Sequence, residues 1–240
     1  MIITSASQKG GVTKSTASAA LASLFALRYR VALIDLDPEA FTTTMGLGLT
    51  ASPDPLNASP LIVPMPAAST GQLLLFAGSA AIALADEVQI AGHIARAALA
   101  ADIVIVDTPP NGCSPAVLAA LRAATLVVVP VLPDFAAMAG MQRLLATVNQ
   151  MNLQVPVRAL LSRWEARTRL AQDVHQQMVA CNPGAVLSAI VPRDQRAAEA
   201  MAAGCPVPFF AKRSPSATAY RAAAYEIAAL GGLHIPQGAL

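Results

Sequence analysis

The sequence contains few charged and few aromatic residues. Only 12% of its 240 residues are charged, about half the usual share, and 4% are aromatic, although 55% are hydrophobic. This combination excludes an intrinsically disordered chain, which needs low hydrophobicity and high net charge. About a fifth of the residues are alanine, which raises the mean hydropathy to +0.54 without adding bulky side chains.

Long uninterrupted apolar runs are also missing. A membrane-spanning helix needs about 20 consecutive, mainly apolar residues. The best candidates are residues 16–27, which end at Arg28, residues 73–85, which end at Asp86, and residues 114–133, which contain Arg122. The N-terminus lacks a basic segment ahead of an apolar one and does not resemble a signal peptide. We therefore expect a soluble, cytoplasmic protein.

Cysteine and histidine are scarce and scattered. The three cysteines are too few and too far apart for a disulfide framework or a Cys-x-x-Cys metal site. The three histidines form no pair at i, i+4 spacing, so the sequence predicts no histidine metal site.

Short runs rich in Val, Ile and Leu alternate with longer, alanine-rich segments of helical length. This order predicts repeated strand–helix units around a mostly parallel, buried sheet. We predict strands at residues 2–6, 31–35, 73–76, 103–107, 126–131, 155–161 and 186–191, and helices at 14–28, 87–99, 115–124, 136–150, 169–180, 195–203 and 216–230. Residues 50–70 contain five prolines and should form an irregular connection or a short strand. We see no repeat or linker and expect one domain across residues 1–240.

The strongest functional signal follows the first predicted strand, where residues 7–16 read SQKGGVTKST. A glycine-rich turn before a helix presents backbone N–H groups to an anion, and the helix dipole favours negative charge there. Lys14 would supply a positive charge for the outer phosphates, and Ser15 a hydroxyl for Mg²⁺. The sequence thus predicts a triphosphate site formed by Lys9, Gly10, Gly11, Val12, Thr13, Lys14, Ser15 and Thr16.

This loop departs from the standard G-x-x-x-x-G-K-[ST] pattern at two positions. Lys9 precedes the first glycine pair, and Thr13 occupies the position before Lys14 where glycine is expected. A β-branched residue is unfavourable where the backbone needs a positive φ, at a cost of about 1–3 kcal/mol. Nucleotide binding weakened by very roughly 5- to 150-fold is therefore an open alternative.

Carboxylates stand at the ends of two predicted strands. Asp35 and Asp37 end the second strand, and Asp107 ends the strand at residues 103–107. Ligands of parallel α/β folds bind beyond the carboxyl ends of the strands. Together with the phosphate loop, these three acids are candidates for catalysis and for magnesium binding.

The loop resembles the deviant Walker A motif, K-G-G-x-x-K-[ST]-T, of the ParA/MinD family of dimer-forming ATPases. The strand ends DLDP and DTPP resemble the family's D-x-D-P and D-x-P-P, and residues 130–145, 160–170 and 190–210 are similar to its later segments. The likeness is weakest between residues 45 and 90. Ser162 occupies a position where many members of that family have an asparagine, which lies near the nucleotide base.

The resemblance implies a P-loop NTPase fold, with a mostly parallel, twisted sheet flanked by helices on both faces. It implies slow, Mg²⁺-dependent hydrolysis of ATP to ADP and phosphate. By the same resemblance, Lys14 would act on the nucleotide of its own subunit, Lys9 would reach the partner's nucleotide in an ATP-bound homodimer, and Asp37 would orient the attacking water. The residues implied around Mg²⁺, partly through water, are Ser15, Asp35 and Asp107.

Basic residues are concentrated in the last third of the chain. Residues 158–221 hold nine Lys or Arg and four Asp or Glu, whereas residues 1–157 hold seven and nine. A solvated surface is one explanation, and a surface that binds a polyanion is the other. ParA proteins bind double-stranded DNA without sequence specificity, and the resemblance assigns this role to Arg163, Arg167, Arg169, Arg193, Arg196, Arg213 and Arg221.

We expect a small ParA-type partition ATPase, associated with the nucleoid, whose hydrolysis a ParB-type centromere-binding protein stimulates. The final residues GGLHIPQGAL contain no basic amphipathic helix, so we expect no membrane partner. Because the loop begins at residue 9, we expect no N-terminal helix-turn-helix domain. Two alternatives stay open. One is a ParA-like positioning protein for a protein cargo, with ATP binding degenerate because of Thr13. The other is an ATP-dependent ligase such as a dethiobiotin synthetase, which would not need Lys9.

Overall fold

The computed structural model describes residues 1–39, 43–110, 112–235 and 238. Within these ranges the strands are β1 (Ile2–Ser5), β2 (Arg30–Asp35), β3 (Leu61–Val63), β4 (Gln72–Phe76), β5 (Ile103–Asp107), β6 (Leu126–Val131), β7 (Val157–Trp164) and β8 (Val186–Pro192). The helices are α1 (Lys14–Phe25), α2 (Glu87–Ala100), α3 (Pro115–Ala123), α4 (Phe135–Gln150), α5 (Arg169–Cys181), α6 (Gln195–Ala202), α7 (Val207–Phe210) and α8 (Pro215–Leu230). Short 3₁₀ helices occur at Met45–Leu47 and Ala80–Leu84.

In the described part of the chain, the strands form one sheet in the order β3-β4-β2-β5-β1-β6-β7-β8. Every neighbouring pair is parallel except β3 and β4. β3 is an edge strand between Pro60 and Pro64, and its Ile62 is 65% exposed. An edge position agrees with the prolines on either side, because proline is tolerated in a sheet mainly at its edge. Because β1, β2 and β5 are parallel neighbours, the loops that follow them meet at one edge of the sheet.

Helices cover both faces of the sheet. Val31 and Leu33 of β2 pack in the same cluster as α1 and α8, whereas the alternate residues Ala32 and Ile34 pack with α2 and α3. Strands buried on both faces need continuous apolar runs, which accounts for the Val- and Ile-rich segments. The prediction of a mostly parallel sheet flanked by helices is confirmed.

Helix α1 is buried on almost every side. Eleven of its twelve residues are buried, including Ser18 and Ser23. Their hydroxyls donate to the backbone oxygens of Lys14 (3.0 Å) and Ala20 (2.8 Å), so burial leaves neither without a partner. Small side chains let this helix lie close to the sheet and to α8, which explains the high alanine content.

Each predicted strand and helix is present, with ends that differ by up to three residues. The short helix α7 was not predicted, because four residues are too few to show a helical period. No helix in the described ranges has the length and apolar character that a membrane crossing requires. The C-terminal residues 231–240, for which no basic amphipathic helix is predicted, lie partly outside the described residues.

Candidate functional site

The turn between β1 and α1 holds two residues in the left-handed region. Gly11 has φ +72°, and Thr13 has φ +67° and ψ +20°. A Cβ added at Gly10 or Gly11 would meet no atom within 4 Å, so open space surrounds this part of the loop. Thr13 precedes α1, but its side chain does not cap the helix. The N–H groups in the first turn of α1 are therefore available to donate hydrogen bonds to an anion.

The Thr13 hydroxyl is buried without a hydrogen bond of ordinary geometry. The polar group that interacts with it is the phenol of Tyr220 in α8, which is 1% exposed. Burial raises the pKa of Tyr220, and the contact with Thr13 lowers it by less, so the phenol stays neutral. Tyr220 was not predicted from the sequence, because a tyrosine in an alanine-rich helix gives no local sign of what it contacts.

The two lysines of the loop lie in different surroundings. Lys14 and Ser15 open α1 and are 7% and 5% exposed. Lys9 is about one-third exposed, and its Nζ donates to Oδ2 of Asp134 at 2.8 Å. Thus Lys14 belongs to the buried start of the helix, whereas Lys9 is held by a residue outside the loop.

Asp134 lies between β6 and α4 and makes two contacts. Its Oδ1 accepts from Ala137 N at 2.7 Å and so caps α4, while Oδ2 accepts from Lys9. Burial raises the pKa of Asp134, but the hydrogen bonds from Lys9 and from the helix backbone lower it more, so the net shift is downward. Asp134 is not among the site residues predicted from the sequence, although an Asp that caps a helix has a recognisable sequence pattern.

The acids Asp35 and Asp107 lie side by side. They are opposite each other in the parallel register of β2 and β5, at 1% and 0% exposure. Thr44 donates to Asp35 Oδ2 from its N (2.9 Å) and from its Oγ1 (2.5 Å). Thr43 Oγ1 donates to Asp107 Oδ2 at 2.6 Å, and Ser18 Oγ donates to Asp107 Oδ1 at 3.2 Å. Thr43 and Thr44 therefore attach the segment after β2 to the acid pair, a role that the sequence did not reveal.

The environment of this pair disfavours two negative charges. Burial, followed by repulsion from Asp107, raises the pKa of Asp35 to about 7, although hydrogen bonds from Thr44 and from the N–H of Asp37 oppose the shift. Ser5, in register with Asp107, has a buried hydroxyl with no hydrogen-bond partner among the described residues. Two crowded carboxylates and an unsatisfied hydroxyl form a donor set of oxygens that suits Mg²⁺.

Each oxygen of the acid pair already accepts a hydrogen bond. Asp35 Oδ1 accepts from Asp37 N at 3.1 Å, and the other three oxygens are bonded to Thr44, Thr43 and Ser18. This favours contact with a cation through water over direct ligation. Within the described residues, no group of three or more His, Cys, Asp or Glu is placed to hold a metal ion.

Asp37 lies just beyond the acid pair and is half-buried. Its Oδ1 accepts from Glu39 N at 3.0 Å. The turn also passes close to Gly78 after β4, where an added Cβ would be 2.7 Å from Asp35 O and 3.2 Å from Asp37 O. Gly78 N donates to Thr44 Oγ1 at 3.1 Å. The lack of a side chain at Gly78 therefore allows the acidic turn to pack this closely.

A cavity of about 450 Å³ lies beside the start of α1. The residues that line this cavity include Thr13, Thr16, Arg163, Arg193 and Tyr220. Its volume is within the range of small-molecule sites. Arg163 adopts φ +50°, and Arg193 is paired with Glu165 at 2.7 Å. Next to Arg163, Ser162 is fully buried and donates to Leu160 O at 3.2 Å within its own strand.

The predicted DNA-binding arginines fall into several places. Arg163 and Arg193 line the cavity beside α1, whereas Arg196 and Arg213 line an open groove together with Lys212. Arg221 lines a third cavity, also with Lys212. Arg167 is exposed in the segment between β7 and α5, and Arg169 is the exposed first residue of α5. Lys212 thus joins two of these surfaces, and Arg28 at the end of α1 adds a basic residue that the sequence analysis did not select.

Comparisons with known proteins agree with this arrangement. Residues 3–207 match the sequence profile of the CobQ/CobB/MinD/ParA nucleotide binding domain. The chain is 35% identical to the chromosome-partitioning ATPase Soj of Thermus thermophilus, over 93% of this chain and 94% of that protein. It is 30% identical to the sporulation initiation inhibitor protein Soj of Bacillus subtilis, over 96% and 99%. The fold is similar to that of the septum site-determining protein MinD from Pyrococcus horikoshii complexed with Mg-ADP, with a TM-score of 0.78, 20% identity, and coverage of 96% and 97%.

Proposed function

Because the chain belongs to the CobQ/CobB/MinD/ParA family of nucleotide-binding domains, we propose that it is a ParA-type partition ATPase acting as one domain across residues 1–240. An ATP-bound homodimer binds double-stranded DNA without sequence specificity and is released by slow, Mg²⁺-dependent hydrolysis. A ParB-type partner stimulates that hydrolysis. The observation that carries the proposal is the acid pair at the same sheet edge as the β1–α1 turn.

In this proposal the backbone of residues 10–16 and the Lys14 side chain bind the phosphates. Ser15, Asp35 and Asp107 would hold Mg²⁺, partly through water, and the ion would neutralise charge on the transferring phosphoryl group. Asp37 orients the attacking water from beyond the end of β2. Desolvation of Lys14 and of the acid pair makes their electrostatic interactions stronger than they would be in water.

Lys9 has a separate role in the dimer. Within one chain it pairs with Asp134, and in the dimer it would leave that carboxylate for the nucleotide of the partner subunit. Breaking the Lys9–Asp134 ion pair costs little free energy because both side chains are about one-third exposed, and such ion pairs contribute only about 0–1 kcal/mol. The pair therefore holds Lys9 near the loop without preventing dimer formation.

The DNA-binding surface is centred on the groove that Arg196, Lys212 and Arg213 line. Arg221 extends it, and Arg167 and Arg169 are further candidates on the exposed start of α5. Arg163 and Arg193 lie on the cavity beside the phosphate loop, so DNA contacts there would respond directly to the nucleotide. Dimer formation doubles the basic surface and so makes DNA binding depend on ATP.

The decisive experiment measures binding to a fluorescent duplex with ATP, with ADP and without nucleotide, at about 50 and 200 mM salt. We expect tight binding only with ATP, and a fall in affinity with a log–log slope of about −0.9 for each phosphate neutralised. Lys14→Ala should abolish the effect of ATP, and Lys9→Ala should abolish dimerisation. Binding that is insensitive to nucleotide or to salt contradicts the proposal.

The left-handed backbone at Thr13 is the observation behind a second candidate function. In this candidate the protein positions a protein cargo and has lost productive ATP binding through the strained loop. ATP affinity and turnover of the wild type and of Thr13→Gly separate the two candidates. A wild type that does not bind ATP, with binding restored by Thr13→Gly, supports the second. A wild type that binds and hydrolyses ATP supports the first.

A further inference from the structure

An apolar cavity of about 300 Å³ lies between the end of α1, the segment before β4 and helix α7. Its apolar lining comes from Leu24, Leu27, Pro66, Pro208 and Phe209. Leu24 and Pro208 are buried, and the other three are half-buried, so the cavity has a buried floor and an accessible mouth. It lies apart from the β1–α1 turn and the acid pair, none of whose residues line it.

Three basic side chains, Arg28, Lys212 and Arg221, also line this cavity, and no acidic residue does. In the described ranges of the chain, none of the three has a carboxylate within 4.0 Å. The guanidinium of Arg221 donates to Lys212 O at 2.6 Å and to Thr218 Oγ1 at 3.2 Å, which fixes its position beside the mouth. The cavity therefore combines an apolar floor with three cations that lack a counterion among the described residues.

The phosphates of DNA satisfy only one half of this arrangement. A phosphate backbone would neutralise the cations but would leave the apolar floor in water. A purely apolar ligand would cover the floor but would make no ion pair with Arg28 and Lys212, which are exposed, or with Arg221, which is half-buried. The ligand that matches both is an apolar group flanked by carboxylates.

We propose that this cavity is a docking site for a short acidic segment of a partner protein, which inserts one bulky apolar side chain between Arg28, Lys212 and Arg221. Aromatic anchors in a desolvated pocket, surrounded by charged pairs, are the usual centre of such interfaces. The volume limits the anchor to one large side chain.

The site also regulates DNA binding, an extension that rests on the proposed function. Lys212 lines both this cavity and the groove that contains Arg196 and Arg213. An acidic segment docked beside Lys212 would repel phosphates from the groove. The segment and DNA therefore exclude each other, and a partner that carries it would displace the protein from DNA without hydrolysis.

Ala68 and Ala67 provide a matched pair of variants. Both are exposed, but Ala68 lines the cavity and Ala67 does not. Ala68→Glu places a carboxylate beside the three cations, and Ala67→Glu adds the same charge one residue away. Neither substitution removes a packed side chain, so both variants should fold as the wild type does.

The probe is the peptide Gly-Gly-Glu-Glu-Trp-Glu-Glu-Gly-Gly, titrated calorimetrically at low salt without nucleotide or DNA. We expect it to bind about tenfold more tightly than the peptide with Ala in place of Trp, and a peptide with Lys in place of Glu should not bind. Ala68→Glu should weaken binding by at least about tenfold relative to Ala67→Glu.

Three outcomes overturn the proposal. They are equal affinity for the Trp and Ala peptides, equal effects of the two Glu substitutions, and binding of laurate at this site without binding of the Trp peptide.

The competition with DNA is measured separately, by adding the peptide to an ATP-dependent complex with duplex DNA. Peptide binding without displacement of DNA leaves the docking site standing and refutes the regulation. A wild-type protein that binds the peptide but shows no ATP-dependent DNA binding refutes the proposed function and leaves the docking site standing.

Discussion

Thr13→Gly tests how the fold bears the strain in the phosphate loop. Thr13 has φ +67°, a conformation that costs a residue with a Cβ about 1–2 kcal/mol. Its hydroxyl is buried without an ordinary hydrogen bond. Glycine removes both penalties but loses about 0.5–1 kcal/mol more backbone entropy on folding. We expect Thr13→Gly to be as stable as the wild type or more so, whereas most substitutions at half-buried positions destabilise.

The matched control is Thr13→Ala, which removes the hydroxyl and keeps the strain. At a positive φ, glycine should exceed alanine by about 1 kcal/mol in the free energy of unfolding. For a chain of this length that is a difference of about 2–4 °C in Tm. Trp164, the one tryptophan and 7% exposed, reports unfolding by its fluorescence in urea or on heating.

The same geometry predicts a small effect on ATP affinity. The left-handed conformation belongs to the β1–α1 turn itself, so its cost is part of the folding free energy and does not recur on ligand binding. We expect the ATP dissociation constant of Thr13→Gly to be within about threefold of the wild-type value, a free-energy difference below about 0.7 kcal/mol. A gain above about tenfold without a change in stability would refute this reasoning, and so would a Gly variant less stable than the Ala variant.

Three further predictions concern charge. Asp134→Asn keeps a good helix cap but breaks the ion pair with Lys9, so sedimentation with ATP should show dimerisation favoured by up to about fivefold. The raised pKa of Asp35, about 7 against 3.8, means that the folded state keeps a proton that the unfolded state has released. The free energy of unfolding should therefore fall, by at most about 4 kcal/mol, as pH rises from about 4 to 7, and Asp35→Asn should remove this slope in urea titrations. Arg213→Gln should reduce the salt slope of DNA binding by about 0.9, whereas Arg30→Gln, a residue that lines none of the three cavities, should leave it unchanged.

Each of these has an outcome that contradicts it. Asp134→Asn with unchanged dimerisation, despite an intact α4, would show that the ion pair does not restrain Lys9. A pH slope that persists in Asp35→Asn would assign the titration to another group. Equal salt slopes for the two arginine variants would remove the groove from the DNA-binding surface.

Most of the fold could be predicted because its signals are local. Buried parallel strands need continuous Val and Ile runs, and the helices between them need long segments of small residues, so both were visible in the sequence. β3 and α7 are too short to show a period, and α7 was missed. Family membership, inferred from the loop and the strand ends, is confirmed by the match over residues 3–207.

The candidate site was predictable only in part. Lys14, Asp35 and Asp107 follow strands or open a helix, so their positions in the chain placed them at one edge of the sheet. The partners Asp134 and Tyr220 lie more than 100 residues from the loop residues that they contact, and nothing local indicates such a pairing.

The sequence by itself determined the order of strands and helices, the phosphate loop and the acids at the strand ends, because each depends on spacing along the chain. Tertiary structure alone decided that Asp35 and Asp107 share one register position, that Lys9 pairs with Asp134, and that the predicted DNA-binding arginines lie in several separate places. The physical reason is that desolvation and charge interactions depend on distance in space. The scarcity of charge noted at the outset thus acquires its meaning from the fold, which sets the neighbours of each charged group and its access to solvent.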